Sequence, residues 1–179
     1  MMSLRNTAFS YGSIAKSLHW LIALLVIVML CVGFFMGDIK SESLQGMVYN
    51  THKLIGLSIL VLILLRAAWT LTNPKPVLPP DTQPWQRDVE WTVHFLFYAC
   101  LIAMPLAGWI GSTAAGYMPH LWGIEIGLPI AKNKLLTNAA FSVHLAIAWV
   151  LIGLITAHVG AALYHYLIKK DNILQRMLP

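Results

Sequence analysis

The sequence predicts an all-α integral membrane protein, a single domain (residues 1–179) folded as a four-helix bundle with both termini in the cytoplasm. Of the 179 residues, 58% are hydrophobic and 11% are charged, whereas a soluble domain averages about 25% charged residues. The apolar residues gather in four segments, each near the length of about 20 residues that crosses a bilayer as a helix. These two observations exclude an ordinary soluble fold and a disordered chain.

Each of the four predicted spans has its own pattern. The first carries no charge, and the second carries Lys53 near its start and Arg66 near its end. The third contains Pro105, which predicts a kink. The uncharged run from Leu135 to Ile168 is longer than one span needs, so the fourth helix is tilted or projects from the membrane. The predicted spans cover residues 17–37, 47–71, 88–111 and 138–168.

The connections between the spans differ in character. Residues 38–46 are short and polar, and residues 72–87 hold several prolines, including Pro79-Pro80, that prevent a continuous helix. Residues 112–134 are longer and apolar, but they contain too many glycines and prolines for a fifth span. This composition predicts a loop that lies at the membrane interface.

The positions of Lys and Arg predict the orientation, because basic residues concentrate on the cytoplasmic side. With the N-terminus in the cytoplasm, eight basic residues lie inside and four lie outside. The inner set is Arg5, Lys16, Arg66, Lys75, Arg87, Lys169, Lys170 and Arg176, and the outer set is Lys40, Lys53, Lys132 and Lys134. The net charge of +5 therefore reflects topology, and nucleic acid is not an expected partner, since no basic cluster is interleaved with aromatic residues.

The histidines are the candidate functional residues, because ionisable groups inside a membrane are costly and mark functional sites. His144 and His158 are 14 residues apart, which is about 21 Å and nearly four helical turns, so both lie on one face near opposite membrane surfaces. His52 begins the second span at the depth of His144, and His19 begins the first span at the depth of His158. The spacing predicts two facing pairs, His52–His144 outside and His19–His158 inside.

Two facing imidazoles are suited to the two axial positions of a haem iron. Zinc fits less well because it takes four ligands and no carboxylate or thiol lies beside these histidines at their depths, whereas the spacing alone leaves copper open. Arg66 lies 14 residues after His52, where it is predicted to pair with a haem propionate. Gly33 and Gly108 fall at the outer depth and indicate either room for a flat macrocycle or close helix packing.

His94 and His165 lie toward the inner side of the bundle. His165 follows His158 by seven residues, on the same face and between Tyr164 and Tyr166. One interpretation is that these histidines are ordinary interfacial residues. The other is that they donate hydrogen bonds or protons to a quinone.

Several short motifs along the chain resemble the bacterial cytochrome b561 family of small dihaem membrane proteins. The matching stretches are Leu18-His19-Trp20, Thr51-His52-Lys53-Leu54-Ile55-Gly56, Leu65-Arg66, Asn73-Pro74-Lys75-Pro76, Ala157-His158-Val159-Gly160 with Tyr164-His165-Tyr166, and Asp171-Asn172-Ile173-Leu174-Gln175-Arg176-Met177. The resemblance implies a four-helix bundle in the bacterial inner membrane that binds two b-type haems through the same two histidine pairs.

The resemblance also implies an activity, because one member of that family is a superoxide oxidase that passes electrons from periplasmic superoxide to ubiquinone. Our leading hypothesis is accordingly electron transfer across the membrane, from superoxide or another small donor through two haems to ubiquinone near His94 and His165. A second hypothesis is a haem-bearing anchor or electron-transfer subunit for a partner redox protein. A third is a non-redox channel or lipid-binding bundle, in which the register of the histidines is accidental.

Overall fold

The computed structural model describes residues 3–79 and 82–178, so Pro80, one of the prolines of the 72–87 connection, lies outside the described residues. Four long helices dominate these residues, and each is long and apolar enough to cross a membrane, which confirms the predicted fold class. The elements are α1 (Ser13–Phe35), a 3₁₀ turn (Met36–Asp38), α2 (Glu42–Thr72), α3 (Pro84–Ala115), β1 (His120–Leu121), β2 (Ile124–Glu125), α4 (Lys134–Tyr164) and a π-helical turn (His165–Lys169).

All four helices begin four or five residues before the predicted spans. The first starts at Ser13 rather than residue 17, the second at Glu42 rather than 47, the third at Pro84 rather than 88, and the fourth at Lys134 rather than 138. Side chains cap two of these starts: Ser41 accepts a hydrogen bond from the Leu44 amide, and Asn133 accepts one from the Leu136 amide. Such caps satisfy amides that lack a partner within the helix, so the helices extend beyond their hydrophobic runs into the interface.

The helices pack in sequence order, α1 on α2, α2 on α3 and α3 on α4. The first and fourth helices meet through side chains, among them the rings of Phe34 and Trp149 with centroids 5.2 Å apart. The first and last described segments of the chain lie at the same end, since the Lys16 ammonium donates to the Leu178 carbonyl oxygen. We call this end the inner end and the opposite one the outer end; which side of the membrane each faces remains a prediction.

Buried apolar side chains fill the middle of the bundle. Four of them, one from each helix, lie seven residues from the predicted functional histidines on their own helix. We call these four residues the middle layer: Val26, Ile59, Leu101 and Leu151. Seven residues are nearly two turns, so the layer separates the outer histidine level from the inner one. Leu151, midway between His144 and His158, is fully buried.

The outer connection is folded onto the bundle and contains a hairpin that the sequence did not predict. Helix α3 continues to Ala115, so the first residues of the predicted 112–134 loop are helical. Beyond it, β1 pairs with β2 around a turn in which Trp122 and Gly123 have positive φ angles of 51° and 82°. Turns with two positive φ angles favour Asn-Gly or Asp-Gly, and Trp-Gly carries no such signal.

A two-way hydrogen bond attaches this hairpin to α2. The Asn50 side-chain amide donates to the His120 carbonyl oxygen and accepts from the His120 amide, both at 2.9 Å. One turn further along α2, the Lys53 ammonium donates to the Tyr117 carbonyl oxygen at 2.7 Å. From α3, the Trp109 indole donates to the Ile126 carbonyl oxygen at 2.8 Å. The connection is therefore a fixed cap over the outer end.

Replacing Asn50 should loosen this cap without unfolding the bundle. Asn50→Ala removes both bonds to His120, and we expect tryptic cleavage after Lys132 or Lys134 to accelerate several-fold while helix content measured by circular dichroism is unchanged. Asn138→Ala, at an exposed position of α4, is the matched control and should be cleaved at the wild-type rate. Equal cleavage of all three proteins would show that the amide does not hold the cap.

Candidate functional site

The outer site is built around His52 of α2 and His144 of α4. Their ring centroids lie 6.3 Å apart, and the ring planes are inclined by 65°. The Nδ1–H of His144 donates to the Met104 carbonyl oxygen at 2.8 Å. A carbonyl oxygen only accepts, so this bond leaves the Nε2 lone pair of His144 free for a ligand.

The outer pair lines two adjoining cavities. One reaches toward the outer cap and is also lined by Tyr49, Lys53 and the buried Pro119. The other reaches inward, to Val26, Ile59 and Leu101 of the middle layer. His52 Nδ1 is buried and has no hydrogen-bond partner among the described residues. Leaving a buried polar atom unpaired costs free energy, and a bound group that interacts with the His52 imidazole would offset that cost.

Two glycines make room beside the outer pair, at the positions where the 14-residue spacing placed them. A Cβ atom added to Gly108 would lie 3.1 Å from His144 Nδ1, and one added to Gly33 would lie 3.3 Å from His52 Cε1. Both distances are tighter than ordinary van der Waals contact. The glycines therefore face the imidazoles, and a side chain at either position would compete with the ring for space.

The inner site joins His19 of α1 to His158 of α4, with ring centroids again 6.3 Å apart and planes inclined by 61°. His94 of α3 meets His158 edge to face at 5.7 Å. The Nδ1–H of His94 donates to the Glu90 carbonyl oxygen of its own helix at 2.7 Å. The structure therefore brings together three of the predicted inner residues.

The other two predicted inner residues have partners of their own. Arg66 donates through Nη1 to the Ala15 carbonyl oxygen at 2.9 Å, one helical turn before His19. The guanidinium carries five N–H groups, so donors remain for an anionic group. His165 lies beyond the end of α4, where its Nδ1 is 2.5 Å from an Asp171 carboxylate oxygen.

Tyr11 lies just before α1, within the range of the charges of Glu90, Arg66 and Arg176. Burial, followed by the charge of Glu90, raises the pKa of the Tyr11 phenol. The phenol is therefore neutral at physiological pH and adds no charge to the inner site.

The separation of the two rings in each pair is that expected of two imidazoles bound to one ion. A metal–nitrogen bond of about 2.0 Å and about 1.1 Å from nitrogen to ring centre put two imidazoles on opposite sides of one ion with centroids about 6 Å apart. Both measured separations are 6.3 Å. Among residues 3–79 and 82–178, no group of three or more His, Cys, Asp or Glu side chains is placed to hold a metal. The donor sets thus fit a group that brings its own equatorial ligands.

Comparison with known proteins shows the family to which this chain belongs. The chain matches the family described as prokaryotic cytochrome b561 over residues 10–179. It belongs to that family. Cytochrome b561 homolog 2 of Escherichia coli (strain K12) is 30% identical over 179 residues, which cover 99% of this chain and 95% of the relative.

Two further relatives match at similar levels. Cytochrome b561 homolog 1 of Escherichia coli (strain K12) is 29% identical over 165 residues, 90% of this chain and 93% of the relative. The probable superoxide oxidase CybB of Yersinia pestis is 29% identical over 169 residues, 94% of this chain and 96% of the relative.

Membership of the cytochrome b561 family gives the chain its general function. It is a multi-pass protein of the bacterial inner membrane that carries b-type haem and transfers electrons across the membrane, in a lipid environment and with redox partners. Haem is thereby favoured over the copper that the histidine spacing left open, and a redox role over a channel or lipid-binding bundle.

The structure adds residues that sequence reasoning missed. The Met104 carbonyl oxygen holds His144, and Asp171 holds His165. No residue type marks a backbone acceptor, so Met104 carried no signal. The sequence did carry a signal for Asp171, because its acidic side chain follows a run of apolar and basic residues at the end of α4.

Filling the space beside His144 should reduce haem binding in this cytochrome b561. Gly108→Val puts branched carbon atoms where a single Cβ already reaches 3.1 Å from the ring, and we expect haem absorbance per chain to fall. Gly153→Val on α4, where an added Cβ meets nothing within 4 Å, is the control. Wild-type absorbance in Gly108→Val would show that the glycine is not needed for the site.

Proposed function

We propose that this chain oxidises superoxide at its outer end and reduces ubiquinone at its inner end, through two b-type haems held by His52–His144 and His19–His158. The observation that carries the proposal is the repetition of one 6.3 Å imidazole pair at two levels, separated by the middle layer. Haem supplies a one-electron carrier at each level.

The residues around each pair have assigned tasks in this proposal. The Met104 carbonyl oxygen fixes the tautomer of His144, which would leave Nε2 free to bind the haem iron. Arg66 would pair with a haem propionate at the inner level, using donors that the Ala15 carbonyl oxygen leaves free. Gly33 and Gly108 leave space beside the outer imidazoles.

Three observations support superoxide as the donor. The outer cavity lies between the histidine pair and the cap, and Pro119 of the cap lines it, which favours a small donor. Lys53 lines the same cavity, and its positive charge attracts an anion. A relative of similar length is named a probable superoxide oxidase.

Ubiquinone is proposed as the acceptor at the inner end. His94 lies against His158, and His165 lies on the same helix face seven residues closer to the inner surface. Both imidazoles are partly exposed, so they are accessible to a ligand that arrives from the lipid. Reduction of a quinone consumes protons, and histidine is the side chain that exchanges protons most readily near neutral pH.

The first test of this proposal is the number of haems. Pyridine haemochrome and reduced-minus-oxidised spectra of the purified protein should give two b-type haems per chain. His144→Ala and His158→Ala should each lose one haem, because each removes a ligand from a different pair. His120→Ala, at an exposed position of the outer hairpin, should keep both. A single haem in the wild-type protein would show that one pair is misassigned.

The second test concerns the donor and the acceptor. Superoxide generated by xanthine oxidase should reduce the haem, superoxide dismutase should abolish that reduction, and added ubiquinone-1 should reoxidise the protein. No superoxide-dependent reduction, together with a partner that copurifies in equal amount, would contradict this activity. That result would favour the haem-bearing subunit of a larger redox complex.

A further inference from the structure

The inner end carries a hydrogen-bonded pair of side chains, His165 and Asp171, just beyond α4. His165 Nδ1 and Asp171 Oδ2 are 2.5 Å apart, and the two side chains are 24% and 22% exposed. We infer that this pair is a proton-transfer dyad in which Asp171 positions and stabilises His165 while His165 delivers a proton to the bound quinone. The inference rests on the proposed function, because it requires a quinone acceptor at the inner end.

The backbone is shaped to bring the two residues together. Helix α4 widens at His165–Lys169 into a π-helical turn, a departure from the α-helix that is frequent at functional sites. Lys170 then adopts a left-handed conformation with φ 54°, which reverses the chain. The Asp171 amide donates back to the His165 carbonyl oxygen at 3.3 Å. The carboxylate is thereby returned to the side of the imidazole.

Both oxygens of Asp171 are used, so the carboxylate has little rotational freedom. Oδ2 accepts from His165, and Oδ1 accepts from the Ile173 amide at 3.1 Å. The tail beyond Asp171 is also held, since the Trp20 indole donates to the Met177 carbonyl oxygen at 2.8 Å. Arg176 further binds Asn172 and the Val77 carbonyl oxygen. The dyad therefore sits on a fixed segment.

The placement of His165 is suited to a ligand at the inner level. It follows His158 by seven residues, which is about 10 Å along the helix and within about 20° of the same face. The Tyr164 ring contacts it edge to face, with centroids 5.9 Å apart. His165 thus lies between the inner histidine pair and the aqueous surface, where Lys169 and Lys170 follow it.

The hydrogen bond assigns separate roles to the two ring nitrogens. Nδ1–H donates to the Asp171 carboxylate, so Nε2 is the nitrogen that accepts and releases a proton. When Nε2 is protonated, the adjacent carboxylate stabilises the positive charge on the ring. His165 is the catalytic residue of this pair and Asp171 is a positioning residue.

The reaction balances with protons taken from the inner aqueous phase. A quinone takes two electrons from the reduced protein and two protons to become a quinol. One proton leaves His165 Nε2 as the new O–H bond forms on the carbonyl oxygen that faces it, and water then reprotonates the ring. The other carbonyl oxygen takes its proton directly from water at the inner surface.

Asp171→Asn tests the dyad by removing the charge from a side chain of the same size. The amide oxygen can still accept from Nδ1–H of His165, while the hydrogen bond from the Ile173 amide to Oδ1 is lost. Protein reduced anaerobically with stoichiometric dithionite is mixed with ubiquinone-1, and haem reoxidation is followed in H2O and in D2O. We expect reoxidation to slow about tenfold or more, with a larger solvent isotope effect than in the wild-type protein. Asp171→Glu should recover much of the rate.

Two measurements separate proton transfer from a structural role. Equilibrium dialysis of ubiquinone-1 against the oxidised protein should give the same affinity for Asp171→Asn and the wild-type protein, and the haem spectra should coincide. Asp38→Asn, an exposed acid at the outer end, is the matched control and should react at the wild-type rate with the wild-type isotope effect.

The outcomes distinguish this inference from the proposed function. Unchanged reoxidation in Asp171→Asn, or slower reoxidation with weaker quinone binding and the wild-type isotope effect, would overturn the dyad and leave quinone as the acceptor. A wild-type protein that ubiquinone-1 does not reoxidise would overturn both the acceptor and the dyad. Reduction of the protein by superoxide is measured in a separate experiment, so neither of these results would bear on superoxide as the donor.

Discussion

The placement of imidazoles inside a membrane bundle is the constraint on which the rest of this structure depends. A polar ring buried without a partner is costly, so each histidine level needs hydrogen-bond acceptors and space. The Met104 carbonyl oxygen supplies an acceptor for His144, and two glycines supply space beside the outer pair. The outer cap belongs to this arrangement too, because Pro119 lines the same cavity as His52 and His144.

Helical periodicity explains how four helices meet this constraint at two levels at once. Fourteen residues bring a helix back to nearly the same face, and every helix in the bundle uses that interval. Halfway along each interval lies one residue of the middle layer, and all four are buried apolar side chains. The 14-residue interval therefore sets both the packing of the middle layer and the placement of the histidines at the outer and inner levels.

The same periodicity decides how much could be predicted from the sequence. Hydrophobic length gave four helices, and rigid helical spacing gave the partners His52–His144 and His19–His158, which the structure brings together. The hairpin and its Asn50 bond were not predictable, because they join positions 70 residues apart through a turn without a recognisable signal. Asp171 reaches His165 only through the left-handed Lys170, and no rule of residue spacing anticipates such a reversal.

The middle layer also has an electrical consequence. It holds apolar side chains and no charge, so water cannot screen the two levels from each other as it would at a surface. They are about 21 Å apart along the helix axis. At an effective dielectric constant of about 20, two unit charges at that distance interact by about 0.8 kcal/mol. If each level holds one haem, as proposed, an electron at one level would make the arrival of a second at the other less favourable, and the bundle would be biased toward passing electrons singly.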